Sequence, residues 1–209
     1  MPLAHRPTPT TAESNVANLV PPAAPLPRVA GRIAALRASE TFAIRPAELT
    51  DYPALATLSA AAFAQGLAML LPRELRARAD APRFSCFFAA TPGPLLLAEI
   101  GGVPVGCALA TPPTEADPAR LLGLWVAPAA AGQGIGSALL TASEAALLSL
   151  GAPGLRVRVP SGHLRALGLF RRRGYTIQAA GLRTEPVLEA MLRHSVLSKR
   201  LVATTAVAA

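Results

Sequence analysis

The sequence predicts an α/β (α+β) domain in which antiparallel strands feed a strand, glycine loop and helix unit. Three stretches carry that prediction. Residues 121–150 read LLGLWVAP, AAAGQGIGSALL and TASEAALLSL in succession. The first part is apolar, holds Trp125 and Val126 and stops at Pro128, as a buried strand does. From Ile135 the positions Ala138, Leu139, Ala142, Ala145, Ala146, Leu147 and Leu150 recur with helical spacing, until Gly151 and Pro153 end the run. Upstream, Leu95–Ile100 and Val103–Thr111 flank Gly101-Gly102, a hairpin pattern that tolerates Pro104 near a strand start. Downstream, residues 155–159 alternate as a strand that ends at Pro160-Ser161-Gly162. A helix then runs from about His163 to a stop at Gly174, behind Arg171-Arg172-Arg173.

The flanks follow the same logic. Residues 1–40 are rich in Pro, Ala and Thr and hold few large apolar side chains, too few to offset the entropy of ordering them. They are expected to form a flexible tail, with 29–38 as a candidate short helix. The folded domain is placed at 41–202, followed by a short tail over 203–209. Within it, 42–46 reads as a strand. Thr50 or Asp51 is placed to cap a helix carrying Leu55, Leu58, Ala61, Ala62 and Phe63 on one face. A second helix is expected after Pro72 with 73–79 exposed, and the last strand over 194–202.

Composition bounds the class. A chain of 209 residues with 52% hydrophobic content can bury one substantial core. No apolar run reaches the length of a membrane span and the N-terminus lacks the apolar core of a signal peptide, so a soluble, cytoplasmic protein without a membrane partner is expected. Cys86 and Cys107 lack metal-ligand spacing; they are expected to be small buried hydrophobes, and no metal is expected. The net charge of +8 raises the question of nucleic acid, but the arginines are spread from Arg6 to Arg200 and no nucleic-acid motif accompanies the run at 171–173. Nucleic acid is not expected as a partner, and a positive surface repels polycationic substrates.

The loop between the central strand and its helix carries the chemistry. Small residues there let several backbone N–H groups point into one concavity at the positive end of a helix dipole, a site suited to phosphate oxygens. A P-loop needs a lysine, and the only one in the chain is Lys199. A dinucleotide fingerprint needs a third glycine where Ser137 stands. What remains is Ala131-Gly132-Gln133-Gly134-Ile135-Gly136 after Val126-Ala127-Pro128. This resembles the acyl-CoA loop of the GCN5-related N-acetyltransferases, written Q/R-x-x-G-x-G/A after V-x-P. Downstream, the stretch from His163 to Tyr175 is similar to the family pattern N-x-x-A-x-x-L-Y-x-x-x-G-F, with Ala166, Leu169 and Gly174 in place. The resemblance covers about 41–202.

The resemblance implies the acyl-CoA N-acyltransferase fold, a mixed, mostly antiparallel sheet flanked by helices, with a splay between two central strands. It implies acetyl-CoA as acyl donor, no metal, and transfer to a primary amine of a small molecule or peptide by direct attack on the thioester. The pantetheine arm is expected along Leu124, Trp125 and Val126, and the pyrophosphate around Gly132, Gln133, Gly134, Ile135, Gly136 and Ser137. The arginine run at 171–173 is a candidate helper for the CoA phosphates. A homodimer is compatible with the family. Three departures stand out: Ala131 replaces the usual Arg or Gln, His163 an Asn that touches the cofactor, and Phe170 a Tyr whose hydroxyl faces the sulfur. No carboxylate lies on the central strand, so Glu99, Glu115 and Asp117 are the candidate bases, with Glu115 first. His163 is chiefly a helix-cap or pantetheine partner, and secondarily a candidate proton donor to the leaving thiolate. Ala131 and Phe170 together motivate the alternative function, an acyl-CoA-binding module with weak or no catalysis.

Overall fold

The computed structural model describes residues 41–67 and 70–202. The expected tails, and the short helix over 29–38, lie outside the described residues. In chain order the elements are β1 (Ala43–Pro46), α1 (Tyr52–Leu67), α2 (Arg73–Arg76), α3 (Ala81–Ala90), β2 (Leu95–Ile100), β3 (Val103–Thr111), β4 (Ala119–Val126), α4 (Ile135–Ser149), β5 (Gly154–Pro160), α5 (Leu164–Arg172), β6 (Thr176–Glu185) and β7 (Ala190–Arg200). The seven strands form one sheet in the order β1-β2-β3-β4-β5-β7-β6. Every neighbouring pair is antiparallel except β4 and β5.

Two features of β4 shape the molecule. Its ladder with β3 pairs Ala110 with Leu121 and Leu109 with Gly123, leaving Leu122 as an extra residue. Such a bulge bends the strand. Its parallel ladder with β5 joins only Ala119, Leu121 and the residue between them to Leu155, Val157 and Arg156. Beyond that point the two strands separate, although β3 still pairs with β4 as far as Val126 and β7 with β5 as far as Pro160.

The aromatic side chains gather on one face. Phe84 and Phe88 of α3 are buried, and the Trp125 indole meets their rings edge-on at 5.4 and 5.7 Å. The indole lies back across Gly123, where any Cβ would collide with it. Alternation along β4 puts Leu124 and Val126 on the other face, against Gly136 of α4. Among the described residues no helix is long and apolar enough to cross a membrane.

Several expectations need correction. The helix after Pro72 is a single turn, and Ala79 is buried. The principal helix there is α3, started by the Asp80 carboxylate, which accepts the Arg83 N–H at 2.9 Å, and favoured by Pro82 in its first turn. Neither Thr50 nor Asp51 caps α1 as expected. A 3-10 turn over Leu49–Asp51 precedes it, and Asp51 accepts the Glu48 N–H at 2.8 Å and both terminal nitrogens of Arg45 at 2.7 and 3.0 Å. Those bonds, the Arg45 guanidinium first, hold the Asp51 carboxyl below its ordinary range. Ala61, Ala145, Leu150 and Cys86 are exposed rather than internal. The last strand begins at Ala190, paired with β6, which has no counterpart in the sequence reading.

The helix that carries the glycine loop is pinned from outside. Glu144 accepts the Tyr175 hydroxyl and the Lys199 ammonium, each at 2.8 Å, and Lys199 also lies over the Tyr175 ring. Arg173 donates to the Ser137 carbonyl at 3.3 Å and to the Thr141 hydroxyl. Burial, then the bond to Glu144, raises the pKa of the Tyr175 hydroxyl. Removing the carboxylate leaves a buried phenol and a half-buried ammonium without their acceptor. Glu144→Ala is therefore expected to lose about 2 kcal/mol of stability, read as a lower urea midpoint at unchanged slope.

Candidate active site

A cavity of about 780 Å³ fills the gap between the splayed halves of β4 and β5. It is one continuous space. At one end stand Ala130 to Gly132 and Gly134 to Ser137; Leu122 to Val126 and Val157 to Pro160 form its flanks, and Phe63, Gly66 and Leu67 of α1 close the other end.

The loop end is built for an anion. Gly132 and Gly134 have φ of 89° and 83°, left-handed values that favour glycine. Gly134 is the N-cap of α4 and has no side chain to offer, so the N–H groups of the first turn lack a side-chain partner. They point out at the positive end of a 15-residue helix. The arginine run divides its work: Arg172 lines the cavity, Arg173 ties α5 to α4, and Arg171 is exposed.

Ten of the eleven expected cofactor residues line this space: Leu124, Trp125, Val126, Gly132, Gly134, Ile135, Gly136, Ser137, His163 and Phe170. Gln133 is the exception; it is exposed and outside the lining. The Trp125 side chain turns toward α3, so its backbone faces the gap more than its ring does. Phe170 is buried, its ring edge-on to Tyr175 at 5.3 Å. His163 is the N-cap of α5: its Nδ1 accepts the Ala166 N–H at 3.3 Å, which leaves the proton on Nε2, beside Gly66. Burial, and to a lesser extent Arg165, lowers its pKa. Favouring the neutral ring makes it a weaker proton source, which counts against His163 as an acid.

The candidate bases fare differently. Glu115 is exposed on the loop before β4, Asp117 lies 3.8 Å from Arg120, and Glu99 pairs with Arg45 at 3.2 Å; none of the three lines the cavity. The carboxylate that does is Glu185, at the end of β6. Its Oε2 lies 3.0 Å from Nε2 of His194, a buried ring whose Nδ1 is 3.0 Å from the Leu192 carbonyl. Sequence reasoning missed Glu185 because β6 escaped it, and took His194 only as the start of the last strand; the local signal is Glu185-Pro186 at the end of β6.

The comparisons with known proteins bear on this geometry. A family model described as Acetyltransferase (GNAT) family matches residues 60–175, more than half of the 209 residues. The chain belongs to the GNAT acetyltransferase family. Among solved structures it is similar to a GCN5-related N-acetyltransferase from Rhodopseudomonas palustris, with 25% identity, a TM-score of 0.62, and 77% of this chain and 96% of that one covered. PaiA N-acetyltransferase from Thermoplasma acidophilum, solved with coenzyme A, shares 15% identity at a TM-score of 0.61, covering 77% and 99%. The yncA protein of Salmonella typhimurium, solved with acetyl-CoA, shares 20% identity at a TM-score of 0.60, covering 81% and 99%. No curated protein matches the chain. The GNAT sheet, mostly antiparallel with helices on its faces, is the acyl-CoA N-acyltransferase fold.

The loop glycines are testable by different routes. A Cβ on Gly134 meets nothing but is forced into left-handed backbone, whereas one on Gly136 reaches Val126, Leu124 and Leu169 at 3.6 to 3.8 Å and narrows the gap. Gly134→Val strains the loop and Gly136→Val fills it. Each is expected to weaken acetyl-CoA binding by more than about tenfold, or about 1.4 kcal/mol, in a protein with a native circular dichroism spectrum. Unchanged affinity by calorimetry in folded Gly136→Val would show that the arm does not run past this helix.

Proposed function

We propose that this GNAT protein is an acetyl-CoA-dependent N-acetyltransferase that moves the acetyl group to a primary amine of a small molecule or peptide. The observation that carries the reading is the single cavity running from an unpartnered helix N-terminus, through the strand gap, to the face covered by α1. The α4 N–H groups and Arg172 receive the pyrophosphate. The open edge of β4 over 122–126 then offers backbone donors and acceptors to the pantetheine amides, as to an added strand. The acceptor enters from the α1 side and attacks the thioester carbonyl; the new C–N bond forms as the C–S bond breaks. Phe170 has no proton to give, so the departing thiolate takes one from water. Holding both substrates in one narrow gap supplies rate by orientation.

The decisive experiment is release of free thiol from acetyl-CoA across a panel of primary amines. Acetyl-CoA binding without thiol release for any amine would favour the alternative, an acyl-CoA-binding module.

Two substitutions refine the reading. His163→Asn keeps a helix-capping side chain and is expected to leave turnover within about twofold. The wild-type ring has a pKa below its ordinary 6.5, so as pH falls past that value the unfolded chain takes up a proton that the folded one resists. Stability therefore drops on acidification, and His163→Asn is expected to flatten that part of the profile in urea titrations between pH 7 and 5. Phe170→Tyr restores a donor near the sulfur and is expected to raise turnover several-fold; a fall would mean that packing against Tyr175 matters more.

A further inference from the structure

We infer that Glu185 receives the acceptor's ammonium and takes its proton, and that His194 is the positioning residue that makes it able to do so. The inference rests on the proposed acetyl transfer and supplies the base that reading lacks. Along β6 only Gly181 and Glu185 escape full exposure, so the carboxylate is drawn inward on a strand that otherwise faces solvent.

The chain spends several contacts to put it there. In the turn between β6 and β7, Val187 and Leu188 are buried. Arg78 and Arg83 donate to the Leu188 and Val187 carbonyls, each at 3.4 Å, and Arg83 pairs with Glu189 at 3.4 Å. The hairpin tip is thus strapped to the α2 and α3 segment. That brings Glu185 to the cavity and to an adjoining recess of about 30 Å³, which it shares with His194, Arg120, Arg156 and Arg158.

The His194 ring explains the chemistry. A carbonyl only accepts, so Nδ1 donates to Leu192, and Nε2 faces Oε2 of Glu185 at 3.0 Å. That contact needs one shared proton to be attractive. The other carboxylate oxygen, Oε1, makes no hydrogen bond among the described residues. An ammonium that donates to Oε1 passes its proton to the carboxylate, whose other oxygen His194 holds in place. The freed amine attacks the thioester carbonyl, C–N forms and C–S breaks. Both protons that nitrogen loses pass to solvent, the first through Glu185, and the thiolate takes one back from water, so that one proton is released overall. The charged groups around the pair are Arg120, Arg156 and Arg158 in the recess and Arg183 two residues before Glu185 on β6. They disfavour acceptors with several positive charges, so a singly charged amine is the fitting substrate.

The test uses full-length protein, acetyl-CoA and a panel of singly charged primary amines, with spermidine as the polycation. Glu185→Gln is expected to lower kcat/KM for the amine by at least about 100-fold while acetyl-CoA affinity by calorimetry stays within twofold. Its deficit should shrink about tenfold per pH unit as the amine deprotonates by itself, a recovery that a merely structural defect does not show. His194→Asn is expected to lower kcat by about tenfold with the same alkaline recovery. Wild-type turnover retained in Glu185→Gln, or a deficit independent of pH, overturns the inference and leaves acetyl transfer standing. Wild-type protein that binds acetyl-CoA but acetylates no amine overturns the inference and favours the binding module. Failure to bind acetyl-CoA at all refutes the proposed function itself.

Discussion

The parallel ladder between β4 and β5 ends at Leu121 and Val157, and the cavity exists because it ends there. Backbone groups inside a protein are almost always paired, so an interrupted ladder in mid-sheet needs a cause. Two are visible. The extra residue Leu122 bends β4 away, and Pro160 removes a donor from the end of β5. Each bank is tied to its own half of the sheet, β4 to β3 and β5 to β7. The opening is therefore a groove with fixed walls rather than a frayed edge.

The electrostatics of the groove are not uniform. The loop end presents the positive pole of α4 and Arg172, with the helix held by Glu144 and Arg173 from behind. Glu185 also lines the groove, held by the hairpin tip on α2 and α3. On the proposed reading the phosphates go to the helix pole and the ammonium to Glu185, with the strand gap as the place for the thioester. The loop end is set by a helix pole, whereas the Glu185 carboxylate shares its recess with Arg120, Arg156 and Arg158.

What was legible in the sequence follows from how local its causes are. The hairpin at Gly101-Gly102, the loop from Ala131 to Gly136 and the stop at Gly174 are written in residues whose conformational needs are specific, and the structure has all three. Helix α3 carried readable marks in Asp80, Pro82 and the phenylalanines at 84, 87 and 88, which were overlooked. Strand β6 is a different case. Its run of Gln178, Ala179, Ala180 and Gly181 has neither alternation nor β-branched residues, and it exists because β7 offers a ladder, a tertiary cause no local pattern announces. Glu185 was lost with it. The candidates Glu99, Glu115 and Asp117 follow from a topology read upstream of the central strand, whereas Glu185 comes from its other side, through the order β5-β7-β6.

A phenyl ring at Phe170 and a carboxylate at the proposed acceptor end agree on magnitude. An alkyl ammonium with a pKa near that of lysine must give up its proton before attack, which at neutral pH costs about 4 to 5 kcal/mol. A thiol of ordinary pKa leaves as thiolate at a penalty of only about 2 kcal/mol at the same pH. Help at the nitrogen is therefore worth more than help at the sulfur. A phenyl ring in place of a phenol forfeits the smaller contribution and still seals the cavity floor against Tyr175. Losing the carboxylate would forfeit the larger one. An acetyl transfer site can survive the first change far better than the second, and in the proposed reading Glu185 is the carboxylate that the amine meets.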